Sequence, residues 1–309
     1  MDRRRARAHQ LSPFVAVALL AGAAAAPNVP IREARWLAPT GLLEGLSREP
    51  AECFVPPADP AERRAAEIGR AAFRTPLLLG GQAARAGMSC ATCHRNGRAN
   101  PAFLFPGLSG APGTADVTSS LMSSHRGDHV DNPRPIPDLG RPRALLKVSR
   151  DPADPALAHF IHGLITQEFD GPEPSPEVLA GLAAYVRALR PEGCRGSDRA
   201  IRLGERLDEV DDEVALARDA RGETRRLLLA AARSTLGAID ERFRLSGLER
   251  DRDALRAADG ALESIRLGRA GFGAWGRTWP ARRRLLLGDE SRSLFSPPIL
   301  RKALARSGS

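Results

Sequence analysis

Ser89-Cys90-Ala91-Thr92-Cys93-His94 sets two thiols three positions apart and places an imidazole directly after the second. Cysteines at that spacing can each form a thioether to a vinyl group of one porphyrin, while the next residue turns its ring beneath the plane to meet the iron. The segment predicts a single covalent haem c, attached through Cys90 and Cys93 with His94 as an axial iron ligand. Other uses of these residues fit less well. A thioredoxin-like dithiol ends a strand and opens a helix within a βαβ unit, whereas Gly80, Gly81 and Gly87 predict a loop ahead of the motif. A zinc site needs a second pair of ligands, and Cys53 and Cys194 lie far off and far apart. A disulfide between Cys90 and Cys93 would be strained across so short a loop.

Helices are predicted on both sides of the motif. Asp59-Pro60 followed by Glu62 has the form of a helix start, with an N-cap, proline at the first position and an acidic residue in the first turn. That helix should run to about Arg74, before Pro76. Gly69 and Phe73 stand four apart on one face, the glycine allowing another helix to approach closely. Ser175-Pro176-Glu177 starts a second helix, with Val178, Leu179, Leu182, Val186 and Leu189 at helical spacing and Pro191 just past its end. Leu182 and Tyr185 share a face.

From about Ala61 to Arg190 the chain resembles a class I cytochrome c domain. In that family a glycine and an aromatic residue on the N-terminal helix cross a Leu-x-x-Tyr pair on the C-terminal helix, and Gly69, Phe73, Leu182 and Tyr185 match that pattern. Phe73-Arg74-Thr75-Pro76-Leu77 ahead of the motif is similar to the N-terminal haem domain of bacterial di-haem cytochrome c peroxidases. The resemblance covers less than half of the chain. No second Cys-x-x-Cys-His occurs, so a two-haem relay cannot be built within this chain.

The other face of the iron separates an electron carrier from a catalyst. Met88 is tied to the motif and Met1 to the N-terminus, which leaves Met122 as the methionine able to reach the distal side. His125, His129, His159 and His162 are rivals, and an open position is the third choice. His125 and His129 lie in a polar loop; His159 and His162 flank Phe160 and Ile161 on a predicted helix, where an interior histidine is the plain expectation. The proline-rich stretch from Asn132 to Pro142 should pack extended against the haem edge, excluding water and raising the potential.

Arg3, Arg4, Arg5 and Arg7 precede an apolar run from Phe14 to Ala26, the layout of a secretory signal peptide. That run is short for a bilayer span, so no membrane span should remain after cleavage; a retained anchor is the alternative. Export to the periplasm, or beyond the cell, follows. In such an oxidising compartment Cys53 and Cys194, which bracket the predicted domain, are candidates for a disulfide, with two unrelated thiols as the alternative. The net charge of +9 is carried almost wholly by arginine, Lys147 and Lys302 being the only lysines. With one tyrosine and no basic run interleaved with aromatics, the chain has little with which to stack bases, and no nucleic-acid partner is expected. A basic surface suits an acidic redox protein partner.

After Ser197 proline vanishes until Pro280 and charge density rises. Leu207, Val210, Val214 and Ala217 form a helical stripe, continued by Leu228, Ala231 and Ile239; Leu248, Leu255, Leu262 and Ile265 form another. Glycines from Gly268 to Gly276 should loosen the chain, with Trp275 and Trp279 as apolar anchors. The acidic run Asp208, Glu209, Asp211, Asp212 and Glu213 should be a solvated face rather than a calcium site.

The expected protein is all-α: a signal peptide at 1–26, an N-terminal linker at 27–58, a cytochrome c-like helical haem domain at 59–195 and a helical C-terminal region at 196–309, built as an antiparallel hairpin or small bundle. Its expected function is that of an exported mono-haem c-type cytochrome that transfers single electrons. The C-terminal helices would serve self-association, partner docking or packing over the haem domain. The alternative is a haem peroxidase-like oxidoreductase working with a second redox centre on a partner.

Overall fold

The computed structural model describes residues 29–119, 121–125, 127–142, 147–194 and 196–307; the expected leader at 1–26 lies outside them. In chain order the helices are α1 (Leu42–Ser47), α2 (Pro60–Arg74), α3 (Gly81–Ala86), α4 (Cys90–Cys93), α5 (Ala156–Gly163), α6 (Pro176–Ala188), α7 (Leu203–Asp219), α8 (Gly222–Arg242), α9 (Glu249–Arg266), α10 (Phe272–Gly288) and α11 (Pro297–Ser307). The strands are two-residue pieces: β1 (Arg48–Glu49), β2 (His94–Arg95), β3 (Arg98–Ala99), β4 (Thr114–Ala115), β5 (Arg134–Pro135) and β6 (Arg199–Ala200). They pair antiparallel as β1 with β6, β2 with β3 and β4 with β5. The protein is all-α in its architecture.

The helix starts follow their sequence signals. Asp59 Oδ1 accepts the N–H groups of Ala61 and Glu62 at 3.0 and 2.9 Å, and Ser175 Oγ accepts that of Val178 at 3.4 Å. The two helices these residues cap, α2 and α6, cross backbone to backbone. A Cβ on Gly69 would stand 1.9 Å from the Gly181 carbonyl oxygen, so no larger side chain fits between them. Phe73 then reaches Tyr185, with ring centroids 5.2 Å apart at 60°. Leu182, Val186, Leu189, Leu157 and Ile165 close a hydrophobic cluster around this pair.

Beyond β6, helices α7 to α10 form an up-and-down bundle in which α7 meets α8, α8 meets α9, α9 meets α10 and α10 returns to α7. Its core holds Leu207, Val210, Val214, Leu228, Ile239, Leu255, Leu262, Trp275 and Trp279. The chain is loosened only briefly, because α10 starts at Phe272 and runs through Gly273, Gly276 and Pro280. Stacked Trp275 and Trp279 rings, 4.6 Å apart, anchor it despite the lost proline hydrogen bond. The acidic run is solvated only in part, with Asp208 and Asp212 exposed and the rest drawn into contacts. Glu209 binds Arg74 and Arg206, Asp208 and Asp211 bind Arg283, and Glu213 is buried beneath Thr235, where desolvation holds its carboxyl well above the usual range.

The bundle packs on the N-terminal half through α2, whose Ile68 and Ala71 belong to the bundle's own core. Nor are residues 29–58 a linker. Trp36 sits in the cluster around Met88 and Phe103, while Ile31, Leu37, Leu42 and Leu46 pack with Leu294 and Leu300 near the far end of the chain. An apolar residue every few positions makes this stretch a strap over both halves. It carries Glu49 and Glu52 into the seam. Glu49 is 2% exposed and bound by Arg199 and Arg206; Glu52 accepts from Arg70, Arg74 and the Tyr185 hydroxyl. Burial alone would push the Glu49 carboxyl up, but Arg206, Arg95, Arg74 and Arg199 together bring it down to about 2.

Two measurements check these contacts. Gly69→Ala should cost about 3 kcal/mol or more in urea unfolding because it meets backbone, whereas Gly237→Ala on α8, with nothing within 4 Å, should gain about 0.5–1 kcal/mol. Because the folded pKa of Glu49 lies below its ordinary 4.5, its contribution to stability is complete above pH 4.5 and is lost as pH falls toward 2. Glu49→Gln should therefore cost about 3–5 kcal/mol near neutrality and flatten the acid limb of the stability profile.

Candidate functional site

Cys90 and Cys93 form the single turn α4. Ser89 caps it, its N–H donating to Thr92 Oγ1 at 3.0 Å. The Asn100 side chain donates to the Thr92 carbonyl at 2.9 Å and its backbone N–H to the Cys93 carbonyl at 3.1 Å, so the turn is tied from both sides. Ahead of it the expected loop is instead helix α3, closed at Gly87, whose φ of 74° supplies the left-handed C-cap.

His94 opens the β2–β3 hairpin, which turns through Asn96-Gly97 with φ values of 50° and 72°. Asn-Gly is the residue pair that a two-residue turn with positive φ selects. The turn is held in place by Asn96, which accepts from Arg74 at 3.1 Å and donates to the Pro50 carbonyl at 2.9 Å. The hairpin brings His94 Nδ1 to 3.0 Å from the Pro137 carbonyl oxygen. An N–H donated there fixes the tautomer and leaves the Nε2 lone pair free. Desolvation lowers the His94 pKa to about 4, so the ring is neutral at ordinary pH. Phe73 lies beside it, ring centroids 6.4 Å apart.

Cys90 and Cys93 are not joined to each other. Cys90 packs on the cluster of Phe73, Leu78, Leu157 and Tyr185, and Cys93 on the cluster of Trp36, Met88, Phe103 and Met122. The two thiols thus stand where two apolar clusters meet. Burial pushes them up to about 11 and about 12, far from the depressed values of a redox dithiol. Cys53 and Cys194 are bonded to each other across 141 residues, which removes them as ligands. Among the described residues no three His, Cys, Asp or Glu side chains converge as a metal site.

Met122 is 1% exposed and shares its cluster with Cys93. The four histidines do not. His125 Nδ1 meets Asp170 at 2.9 Å on an exposed side chain, His162 Nε2 meets Glu173 at 2.8 Å, and His129 and His159 are exposed. His159 is therefore no interior residue, because α5 turns it to solvent. Thr75, buried at the end of α2, has a hydroxyl with no hydrogen-bond partner among the described residues.

Within the proline-rich stretch, Ile136 enters the Met122 cluster and Pro137 presents its carbonyl to His94. The stretch therefore meets the site through a backbone oxygen at the His94 ring as well as through apolar packing. Pro137 was hidden from a reading of side-chain motifs, since it acts through its backbone. The Asn96-Gly97 pair, one residue removed from the histidine, is the signal that would have located the hairpin. Comparison with protein family models, with curated proteins and with solved structures gives no match to this chain.

Raising a thiol from 9.0 to about 11 cuts its thiolate fraction roughly a hundredfold. In haem-free folded protein at pH 8, iodoacetamide should modify Cys90 about a hundredfold and Cys93 about a thousandfold more slowly than in urea. Equal rates would show that packing does not hold the thiols protonated.

Proposed function

We propose that this chain is an exported mono-haem c-type cytochrome that accepts and passes on single electrons, built on a class I cytochrome c fold. The observation that carries the reading is His94, neutral and oriented through Nδ1 by the Pro137 carbonyl, one residue after a pair of unoxidised, half-buried thiols. That donor set suits covalent haem: two sulfurs to bind the vinyl groups and a free Nε2 for iron. When bound, haem c supplies a one-electron iron couple.

The chain's own residues have definable tasks. Cys90 and Cys93 anchor the group at the boundary between the two apolar clusters, and His94 orients it. Phe73, Leu78, Leu157 and Ile165 exclude water from one side; Trp36, Phe103 and Met122 do so from the other. Met122 is the proposed distal ligand, because the four histidines face carboxylates or solvent. The meeting of Gly69 with Gly181 and of Phe73 with Tyr185 supports the cytochrome c reading of α2 and α6. The Cys53–Cys194 disulfide is compatible with export, and no helix among the described residues is long and apolar enough to cross a membrane. An acidic redox protein is the proposed partner, with the C-terminal bundle available for docking or self-association.

Protein produced with a c-type maturation system should keep its colour through denaturation and acid-acetone extraction, and Cys90→Ser or Cys93→Ser should reduce retention. Loss of haem from the unaltered chain would end this reading. Met122→Ala should lower the potential, remove the weak charge-transfer band at the red end of the ferric spectrum and admit added imidazole or cyanide. A high-spin, five-coordinate iron in the unaltered protein would redirect the proposal to a peroxidase-like oxidoreductase served by a partner's redox centre.

A further inference from the structure

The Pro137 carbonyl belongs to the same planar peptide as the Asp138 N–H, so whatever fixes Asp138 fixes the acceptor of the His94 hydrogen bond. Asp138 is held at both oxygens. Oδ1 accepts the Gly140 N–H at 2.8 Å, and Oδ2 accepts Arg98 Nε at 2.6 Å, with the Asp138 side chain 14% exposed. The next residue, Leu139, donates its N–H to the Gly97 carbonyl at 2.9 Å. Gly97 and Arg98 lie on the hairpin that begins at His94, so ligand and acceptor are cross-braced within one short unit. Below this unit sits the disulfide. A Cβ on Gly140 would stand 2.7 Å from Cys53 Sγ and 3.2 Å from Cys194 Sγ, which leaves the 138–140 turn no room to sink.

We propose that Asp138 and Arg98, braced on the Cys53–Cys194 disulfide, are positioning residues for His94 that set the iron's reduction potential through the Pro137 carbonyl. This rests on the haem reading. A well-placed acceptor gives the imidazole partial anionic character, which stabilises ferric over ferrous iron. Releasing the acceptor weakens that donation, and the potential rises. Asp138→Asn keeps the volume and an acceptor for the Gly140 N–H but discharges the pair with Arg98. Arg98→Gln discharges it from the other side, on a side chain 31% exposed and so tolerant of change.

The test uses haem-loaded full-length protein with four readouts: haem content, midpoint potential, the NMR shift of the His94 Nδ1 proton, and the melting temperature. At a fixed applied potential, Asp138→Asn and Arg98→Gln should each raise the ferrous-to-ferric ratio threefold or more and move the Nδ1 proton upfield, with haem content unchanged. Arg98→Lys should restore most of the original potential. Removing the disulfide as Cys53→Ala with Cys194→Ala should shift it in the same direction as Asp138→Asn. Arg233→Ala, which deletes a comparable ion pair with Asp259 in the bundle, should leave the potential alone. Normal haem content with a lowered melting temperature and an unchanged potential in both Asp138→Asn and Arg98→Gln would overturn the proposal and leave the pair a structural brace. Absence of haem from the unaltered chain would instead overturn the functional reading beneath it.

Discussion

Two backbones touch at Gly69 and Gly181, and most of the N-terminal half is arranged around that contact. Helices that approach so closely cannot slide or rotate, since any Cβ in the interface meets a carbonyl. Phe73, one turn beyond Gly69, is thereby delivered to Tyr185 and to the His94 ring together. Tyr185 turns its hydroxyl to Glu52, drawing the strap onto the back of the helix pair. The cysteine turn then has a wall on one side made by α2 and α6. Its other wall comes from the strap's Trp36 and the loop residues Phe103 and Met122.

The seam between the halves is ionic where it is buried, an expensive choice unless every charge has several partners. Here they do. Arg74 reaches Glu52, Glu209 and Asn96; Arg206 reaches Glu49 and Glu209; Arg199 reaches Glu49 and Glu205. Arg74 thereby joins the end of α2, helix α7 and the turn after His94 in one network. A guanidinium suits this task, since its planar fork can serve several acceptors without being deprotonated.

What the residues alone disclosed depended on the range of the interaction. Caps at Asp59 and Ser175 and the stripes of the bundle are local patterns, and each is found where its periodicity put it. The glycine at 69 was legible as a close approach, but its partner Gly181 was not singled out, because a glycine inside an apolar helix carries no signal of what it faces. The strap was misjudged as a linker: its apolar residues serve two different clusters and so follow no single period. The acidic run on α7 is a solvated face at Asp208 and Asp212 but not at Glu209 or Asp211, for a related reason: Arg74 and Arg283, which bind these two, come from α2 and α10. At the site, the thiols and the imidazole announced themselves by spacing. The carbonyl that orients the imidazole could not, because any residue has one.

The strap also bears on how the chain can come apart. Strand β1 pairs with β6, Leu46 packs against Leu294, and Ile68 and Ala71 complete the bundle's core, so each half lends the other part of its interior. A cut near residue 196 would strip α2 of its cover and leave Glu49 without Arg199 and Arg206. The boundary that composition draws there divides two styles of sequence, while side chains from both sides of it share the same clusters. Packing crosses it: losing the bundle uncovers Ile68 and Ala71 on α2, the same helix that walls the cysteine turn.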